Sequence, residues 1–172
     1  MKKILLSFVA LVVLCLTNLA YSKTIRIGTE GAYPPWNNLN SAGDLEGAEI
    51  DFGNEACKRM AVTCEWVTQD WDGIIPALLN GKYDIIIAGM SITEERKEKV
   101  NFTTGYMTDG ARFAVLKDSG LSNLAIGDMA KVNLNNAGGK EQAAIGQLIA
   151  AMDGKTVCVQ SSTIHQNFLE QH

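Results

Sequence analysis

The chain has 172 residues, 47% of them hydrophobic, and a formal charge of −4 at neutral pH. An acidic balance argues against a protein built to neutralise nucleic-acid phosphates. The length suffices for one domain's core, or for one full lobe plus part of another.

Residues 1–22 open with Lys2 and Lys3, run through an apolar core from Ile4 to Leu16, and end on Ala20-Tyr21-Ser22. That is the three-part layout of a secretory signal peptide, cleaved before Lys23. The apolar run is shorter than the roughly 20 residues that span a bilayer, which disfavours a membrane anchor. At Cys15 a lipoprotein site would need a small residue where Leu14 stands. Without Lys2 and Lys3 the formal charge falls from −4 to −6. Export carries Cys57, Cys64 and Cys158 into a compartment where disulfides persist.

The exported part alternates strand and helix. Thr24–Thr29 alternates around Ile25 and Ile27 as a strand. Over 51–61, Gly53, Cys57 and Met60 recur with Ile50 at helical spacing, and a second strand is expected over Thr63–Thr68. Cys57 and Cys64 lie seven apart where that helix turns into that strand, so the chain can bring their sulfurs together. A bridge across so short a loop contributes about 2–3 kcal/mol. Residues 71–80 carry Ile74, Ile75, Leu78 and Leu79 on one helical face. The apolar run 84–88 reads as a buried parallel strand, and 93–99 as a short charged helix. The order β-α-β-α-β-α is that of a doubly wound α/β lobe.

Beyond Asn101 the pattern loosens. A strand is expected over 112–116, a surface insertion over 119–140, a helix over 141–152, a strand over 156–160 with Cys158 buried and free, and a last helix from Ser161. Zinc binding is not expected, because no Cys-x-x-Cys pair or nearby histidine completes a ligand set.

Three stretches carry chemistry. The segment Ala88-Gly89-Met90-Ser91-Ile92-Thr93-Glu94-Glu95-Arg96 runs from the end of an apolar strand into a helix, and Ser91-x-x-Glu94 fits a capping box. Ligands of open α/β sheets collect beyond the carboxyl ends of the strands. There, helix N-termini offer N–H groups to anions, and Arg96 can pair bidentately with a carboxylate. An ordinary capped helix with a surface arginine fits the same residues. The segment from Val157 to Thr163 repeats the junction, with Ser162 and Thr163 placed to cap a helix, bind an anion, or do both. Glu30, Tyr33 and Trp36 follow the first strand and Trp71 opens the second helix. Their rings can stack on a ligand or pack the lobe, and Glu30 can neutralise a cation.

Four segments together resemble the polar-amino-acid-binding proteins of bacterial ABC importers: Glu30-Gly-Ala-Tyr33-Pro-Pro-Trp36, Gly47-Ala-Glu-Ile-Asp51, Trp71-Asp-Gly-Ile-Ile-Pro76, and Ser91-Ile-Thr-Glu-Glu-Arg96. The nearest branch is the one that binds lysine, arginine, ornithine and histidine, with the related octopine and nopaline binders. The Cys57/Cys64 pair matches a disulfide of that branch. The resemblance implies that Arg96 clamps the ligand's α-carboxylate, helped by the Ser91 hydroxyl and the backbone around Ser162 and Thr163. Tyr33 and Trp71 would sandwich the ligand's side chain and Glu30 would face its cationic end. Ala88, Gly89 and Met90 would line the wall, where Gly89 lacks a hydroxyl and leaves room for a bulkier arginine-derived opine.

The implied fold is α/β, periplasmic-binding-protein-like of type II, with two lobes joined by crossover strands and the second incomplete. Its parts would be a signal peptide at 1–22, lobe 1 at 23–110, and a crossover strand with the beginning of lobe 2 at 111–172. The family continues for roughly another third of its length and supplies there the acidic partner of the α-ammonium, so this chain is expected to bind weakly on its own. The implied function is delivery of a basic amino acid or opine, in the periplasm, to the membrane permease of an ABC importer. The protein would be a monomer with no cofactor and no metal, and not an enzyme. Rival readings are an exported enzyme resembling cyclohexadienyl dehydratases, for which His165 and His172 are the available histidines, a sensory binding domain, and a non-functional fragment of a binding-protein gene.

Overall fold

The computed structural model describes residues 23–121 and 138–172, so the signal-peptide reading and most of the expected insertion over 119–140 lie outside the described residues. Two compact units divide between Val100 and Asn101.

The first unit is built on a three-stranded parallel sheet. Strand β1 (Thr24–Thr29) lies at its centre, flanked by β5 (Thr63–Thr68) and β6 (Ile85–Ile86). Register runs from Thr24 opposite Thr63 to Thr29 opposite Thr68 on one side, and Ile27 opposite Ile85 on the other. A second, antiparallel sheet of β2 (Ala32–Tyr33), β3 (Asn37–Leu39) and β4 (Leu45–Glu46) follows β1. Its strands are two or three residues long and carry no alternation that a sequence pattern can register.

Helix α1 (Ala48–Arg59) returns the chain to β5 and buries Glu49, Ile50, Gly53 and Cys57 on one stripe. Met60, expected on that stripe, lies beyond the helix end and is exposed. Glu49 and Asp51 in the first turn, with Lys58 and Arg59 in the last, complement the helix dipole. A single 3-10 turn at Trp71–Gly73 leads into α2 (Ile74–Leu79). Pro76 is tolerated in its first turn, where backbone N–H groups have no intrahelical partner.

The core of this unit is centred on Ile74, Tyr83 and Ala88, with Val67, Ile86 and Met90 packed against it. The Tyr83 hydroxyl donates to the Ile74 carbonyl, which satisfies a buried phenol. Burial raises the Tyr83 pKa above its ordinary value. The ring lies directly over β1: a Cβ added at Gly28 would meet it at 2.5 Å. Any side chain at Gly28 would therefore displace the ring or part the sheet.

Strand β6 departs from expectation. The run 84–88 was expected to be buried on both sides, yet β6 is an edge among the described strands and Ile85 is 41% exposed. Hydrogen bonds from Asp84 N to Arg26 O and from Ile87 N to Gly28 O continue the ladder on both sides of it. The expected helix over 93–99 contracts to α3 (Glu94–Lys97).

The second unit holds α4 (Gly139–Met152) and α5 (Ile164–Gln171), with Ala144 and Ile145 buried. The strands expected over 112–116 and 156–160 do not form. A strand is held by a neighbour's ladder, and no strand occurs among the described residues of this unit. Leu116 is accordingly 76% exposed. For the same reason Cys158 is free but exposed, not buried as its apolar neighbours suggested.

Cys57 and Cys64 form a disulfide, Cα to Cα 6.1 Å, tying the end of α1 to β5. Alkylation of the native protein should label Cys158 and spare Cys57 and Cys64, with peptide mapping recovering the 57–64 crosslink. Replacing both bridged cysteines by alanine should lower stability towards denaturant by about 2–3 kcal/mol, as expected for so short a loop. Native labelling at Cys57 or Cys64 would contradict the pairing.

Candidate functional site

Because β5, β1 and β6 are parallel, the segments that leave them emerge along one edge of the sheet. β1 runs out into Glu30, β5 into Gln69-Asp70-Trp71, and β6 into Ala88–Ser91. The Gln69 N–H donates to the Thr29 carbonyl at 3.0 Å and holds the first two exits side by side. The first unit thus gathers Glu30, Trp71, Gly89, Ser91 and Arg96 at its carboxyl edge, with Tyr33 half exposed on β2.

Arg96 is the best defined of these groups. Its Nη1 donates to the Ser91 carbonyl at 2.8 Å. Its guanidinium carbon lies 5.4 Å from the centre of the Trp71 ring, within cation–π range. Desolvation lowers the Arg96 pKa from its ordinary value, opposed by the neighbouring Glu95 carboxylate. An arginine remains charged throughout the physiological range. A positive, half-buried and preoriented guanidinium is therefore fixed beside an indole at the sheet edge.

The capping arrangement differs from the expected box at Ser91. Thr93 is the N-cap of α3, and its hydroxyl accepts from the Arg96 N–H at 3.2 Å. The helix begins two residues later than the capping pattern suggested, because Thr93 offers the same hydroxyl chemistry next to the first helical residue. Ser91 is thereby released from capping. With four residues α3 is too short to serve as an anion-binding helix terminus, and the cationic group that the first unit presents beside it is the Arg96 side chain.

The wall residues divide. Ala88 is 2% exposed and belongs to the core, and Met90 packs against that core. Gly89 takes a left-handed conformation at φ 59°. The second junction is occupied by capping: Thr163 is the N-cap of α5, accepting from Gln166 N at 3.2 Å and donating to Gln160 O at 2.8 Å. The Ser162 N–H donates to Gln166 Oε1 at 2.7 Å. Ser162 and Thr163 belong to the second unit, and the remaining site residues to the first. The second unit also has an open hollow of about 230 Å³ between α4 and α5, lined mainly by Ile149, Met152, Phe168 and Leu169.

Sequence reasoning passed over Glu49 and Asn37. Glu49 is 1% exposed and accepts from the Gly89 N–H and from Asn37 Nδ2, each at 2.7 Å. Asn37 Oδ1 accepts from the Gly31 N–H, also at 2.7 Å. The signal was present: Glu49, Gly53 and Cys57 recur at four-residue steps, which places a carboxylate on the buried stripe of an amphipathic helix. Among the described residues no group of three or more His, Cys, Asp or Glu side chains could hold a metal ion. No described helix is long and apolar enough to cross a membrane.

Comparison with known proteins gives consistent matches. The family model for bacterial extracellular solute-binding proteins, family 3, matches residues 25–163. An octopine-binding periplasmic protein of Rhizobium meliloti is 44% identical over 153 residues, which cover 89% of this chain and 52% of that protein. An L-arginine-binding protein of Pseudomonas aeruginosa is 45% identical over 124 residues, covering 72% and 48% respectively. Among solved structures, a periplasmic His/Glu/Gln/Arg/opine family-binding protein from Silicibacter pomeroyi, in complex with lysine, shares 57% identity. That likeness covers 50% of this chain and 39% of the other, with a TM-score of 0.49. The chain spans about half the length of the curated relatives it matches.

The two hydroxyls around Arg96 should separate in their effects. Thr93→Ala removes the cap of α3 and should cost about 1 kcal/mol of stability, whereas Ser91→Ala should change stability by less than about 0.5 kcal/mol. Denaturant unfolding of the two variants provides the measurement, and equal losses would show that Ser91 shares the capping role.

Proposed function

We propose, from the premise that this chain belongs to family 3 of the bacterial extracellular solute-binding proteins, that it binds a cationic amino acid or an arginine-derived opine for uptake. Its fold class is α/β, of the type II periplasmic-binding-protein kind. The observation that carries the proposal is Arg96, a half-buried guanidinium held by the Ser91 carbonyl and the Trp71 ring at the carboxyl edge of a parallel sheet. A group so placed meets a carboxylate without reorganising, and a bidentate pair supplies both strength and direction. Glu30 at the neighbouring strand exit supplies the opposite charge for a ligand's cationic end. Tyr33 and Trp71 supply aromatic surface for the methylenes between.

The relatives named above are binding proteins, not enzymes, and the same role is inferred here. Residues 23–110 would form lobe 1, with 111–172 a crossover segment, which forms no strand among the described residues, and the beginning of lobe 2. Thr163 would contribute from the second lobe through its backbone, its hydroxyl being engaged in the cap of α5, and Ser162 would do so by exchanging the N–H bond it now makes to Gln166 Oε1 for one to the ligand. The protein would act as a monomer in the periplasm, exported by residues 1–22, and hand its ligand to the permease subunits of an ABC importer. Lobes closing on a ligand about a hinge are the motion that such a division of contacts requires.

Calorimetric titration of the purified chain with arginine, octopine and glutamate tests this reading. Arginine or octopine should bind ahead of glutamate. Arg96→Ala should weaken that binding roughly 10- to 150-fold, corresponding to about 1.5–3 kcal/mol for a charged hydrogen-bonded contact. Preference for glutamate, or an Arg96→Ala variant that binds as the parent does, would refute the assignment.

A further inference from the structure

We infer that Glu49 is the positioning residue of this site: its buried carboxylate locks the Glu30–Tyr33 segment to the Ala88–Ser91 segment, so that both ends of a ligand are met by one rigid frame. The frame's purpose rests on the functional reading above, but its mechanics do not.

The geometry is a chain of three hydrogen bonds through four residues. Gly31 N–H donates to Asn37 Oδ1, Asn37 Nδ2 donates to Glu49 Oε2, and Gly89 N–H donates to Glu49 Oε1, every link 2.7 Å long. Asn37 and Glu49 are both buried. Each outer donor belongs to a glycine in the left-handed region, Gly31 at φ 74° and Gly89 at φ 59°, a conformation that costs glycine little. Gly31 directly follows Glu30, and Gly89 stands two residues before Ser91, whose carbonyl holds Arg96. The chain of bonds therefore joins the segment bearing the site's acid to the segment that seats its base.

The polarity of this chain is fixed. Backbone N–H groups can only donate, so the acceptor Oδ1 of Asn37 must face Gly31 and its amide nitrogen must face residue 49. Residue 49 then receives a donor on each of its two oxygens, which a carboxylate does and an amide cannot. Glu49→Gln must leave one buried donor facing another. Asn37→Asp must turn a second carboxylate towards Glu49. The two changes together restore these three links: the carboxylate now at position 37 accepts from the Gly31 N–H and from the new amide nitrogen, and the amide oxygen at position 49 accepts from Gly89. The charge moves from residue 49 to residue 37 while the pattern of bonds is kept.

Amide hydrogen exchange of the full, ligand-free chain reads this directly. Glu49→Gln should accelerate exchange roughly tenfold or more, the scale of one lost charge-assisted bond, at Gly89 and also at Gly31, which residue 49 does not touch. Exchange at Ile27 in the sheet centre should be unchanged. Asn37→Asp should do the same, and Asn37→Asp with Glu49→Gln should return both glycines to within about threefold of the parent, well inside the tenfold loss of one bond. A double variant that folds while a single one does not supports the inference equally. Acceleration at Gly89 with Gly31 unaffected, or a double variant no better folded or protected than the single ones, overturns it. Arginine titration of the same variants reports on function separately. Affinity lost in each single variant and regained in the double one links the frame to binding. Should the parent bind no cationic ligand, the functional reading fails while the exchange result stands.

Discussion

The architecture of the first unit turns on one buried carboxylate. Taking Glu49 out of water costs several kcal/mol if nothing compensates. Two short hydrogen bonds do so, and the position in the first turn of α1 adds a favourable interaction with the helix dipole. Both bonds come from segments that leave strands of the parallel sheet or lie just beyond them. Moving either segment would leave a buried donor or charge without its partner. The packing of α1 against the sheet and the shape of the sheet's carboxyl edge are therefore one constraint.

That constraint operates on a sheet already drawn tight. The Tyr83 ring covers Gly28 closely enough to exclude a side chain there, and its hydroxyl reaches back to the start of α2. The disulfide closes the other end of α1 onto β5. Helix α1 is thus fastened to β5 by a covalent bond at one end, and at the carboxyl edge of the sheet by the hydrogen bonds that Asn37 and Gly89 donate to Glu49. The Arg96 guanidinium completes the edge, seated between a backbone carbonyl and an indole.

Much of the first unit was legible in the residue pattern. Thr24–Thr29 and Thr63–Thr68 form strands with the expected ends, and helices form around Asp51 and Ile74, the first starting three residues before the expected 51 and the second preceded by a 3-10 turn over 71–73. The small antiparallel sheet at 32–46 was not legible, because strands of two or three residues carry no readable alternation. Ser91 was read as a cap because Ser-x-x-Glu is the capping pattern. Thr93 holds that place because a threonine immediately before the first helical residue competes successfully for it. Cys158 was read as buried from its valine neighbours, but an apolar run is covered only when another element pairs with it.

The sequence by itself determined the class of the fold, the positions of the longer elements and the presence of an arginine, an acid and aromatic rings just beyond strand ends. Those are local properties: periodicity, turn chemistry and residue type read over a few positions. Only the tertiary structure decided that Ala88 belongs to the core, that Arg96 faces Trp71, and that Glu49 joins two segments far apart in the chain. Burial and hydrogen-bond partnership depend on which segments meet in space. A glutamate flanked by alanine and isoleucine carries no mark, in its immediate neighbours, of the backbone donor that will reach it from the segment after β6.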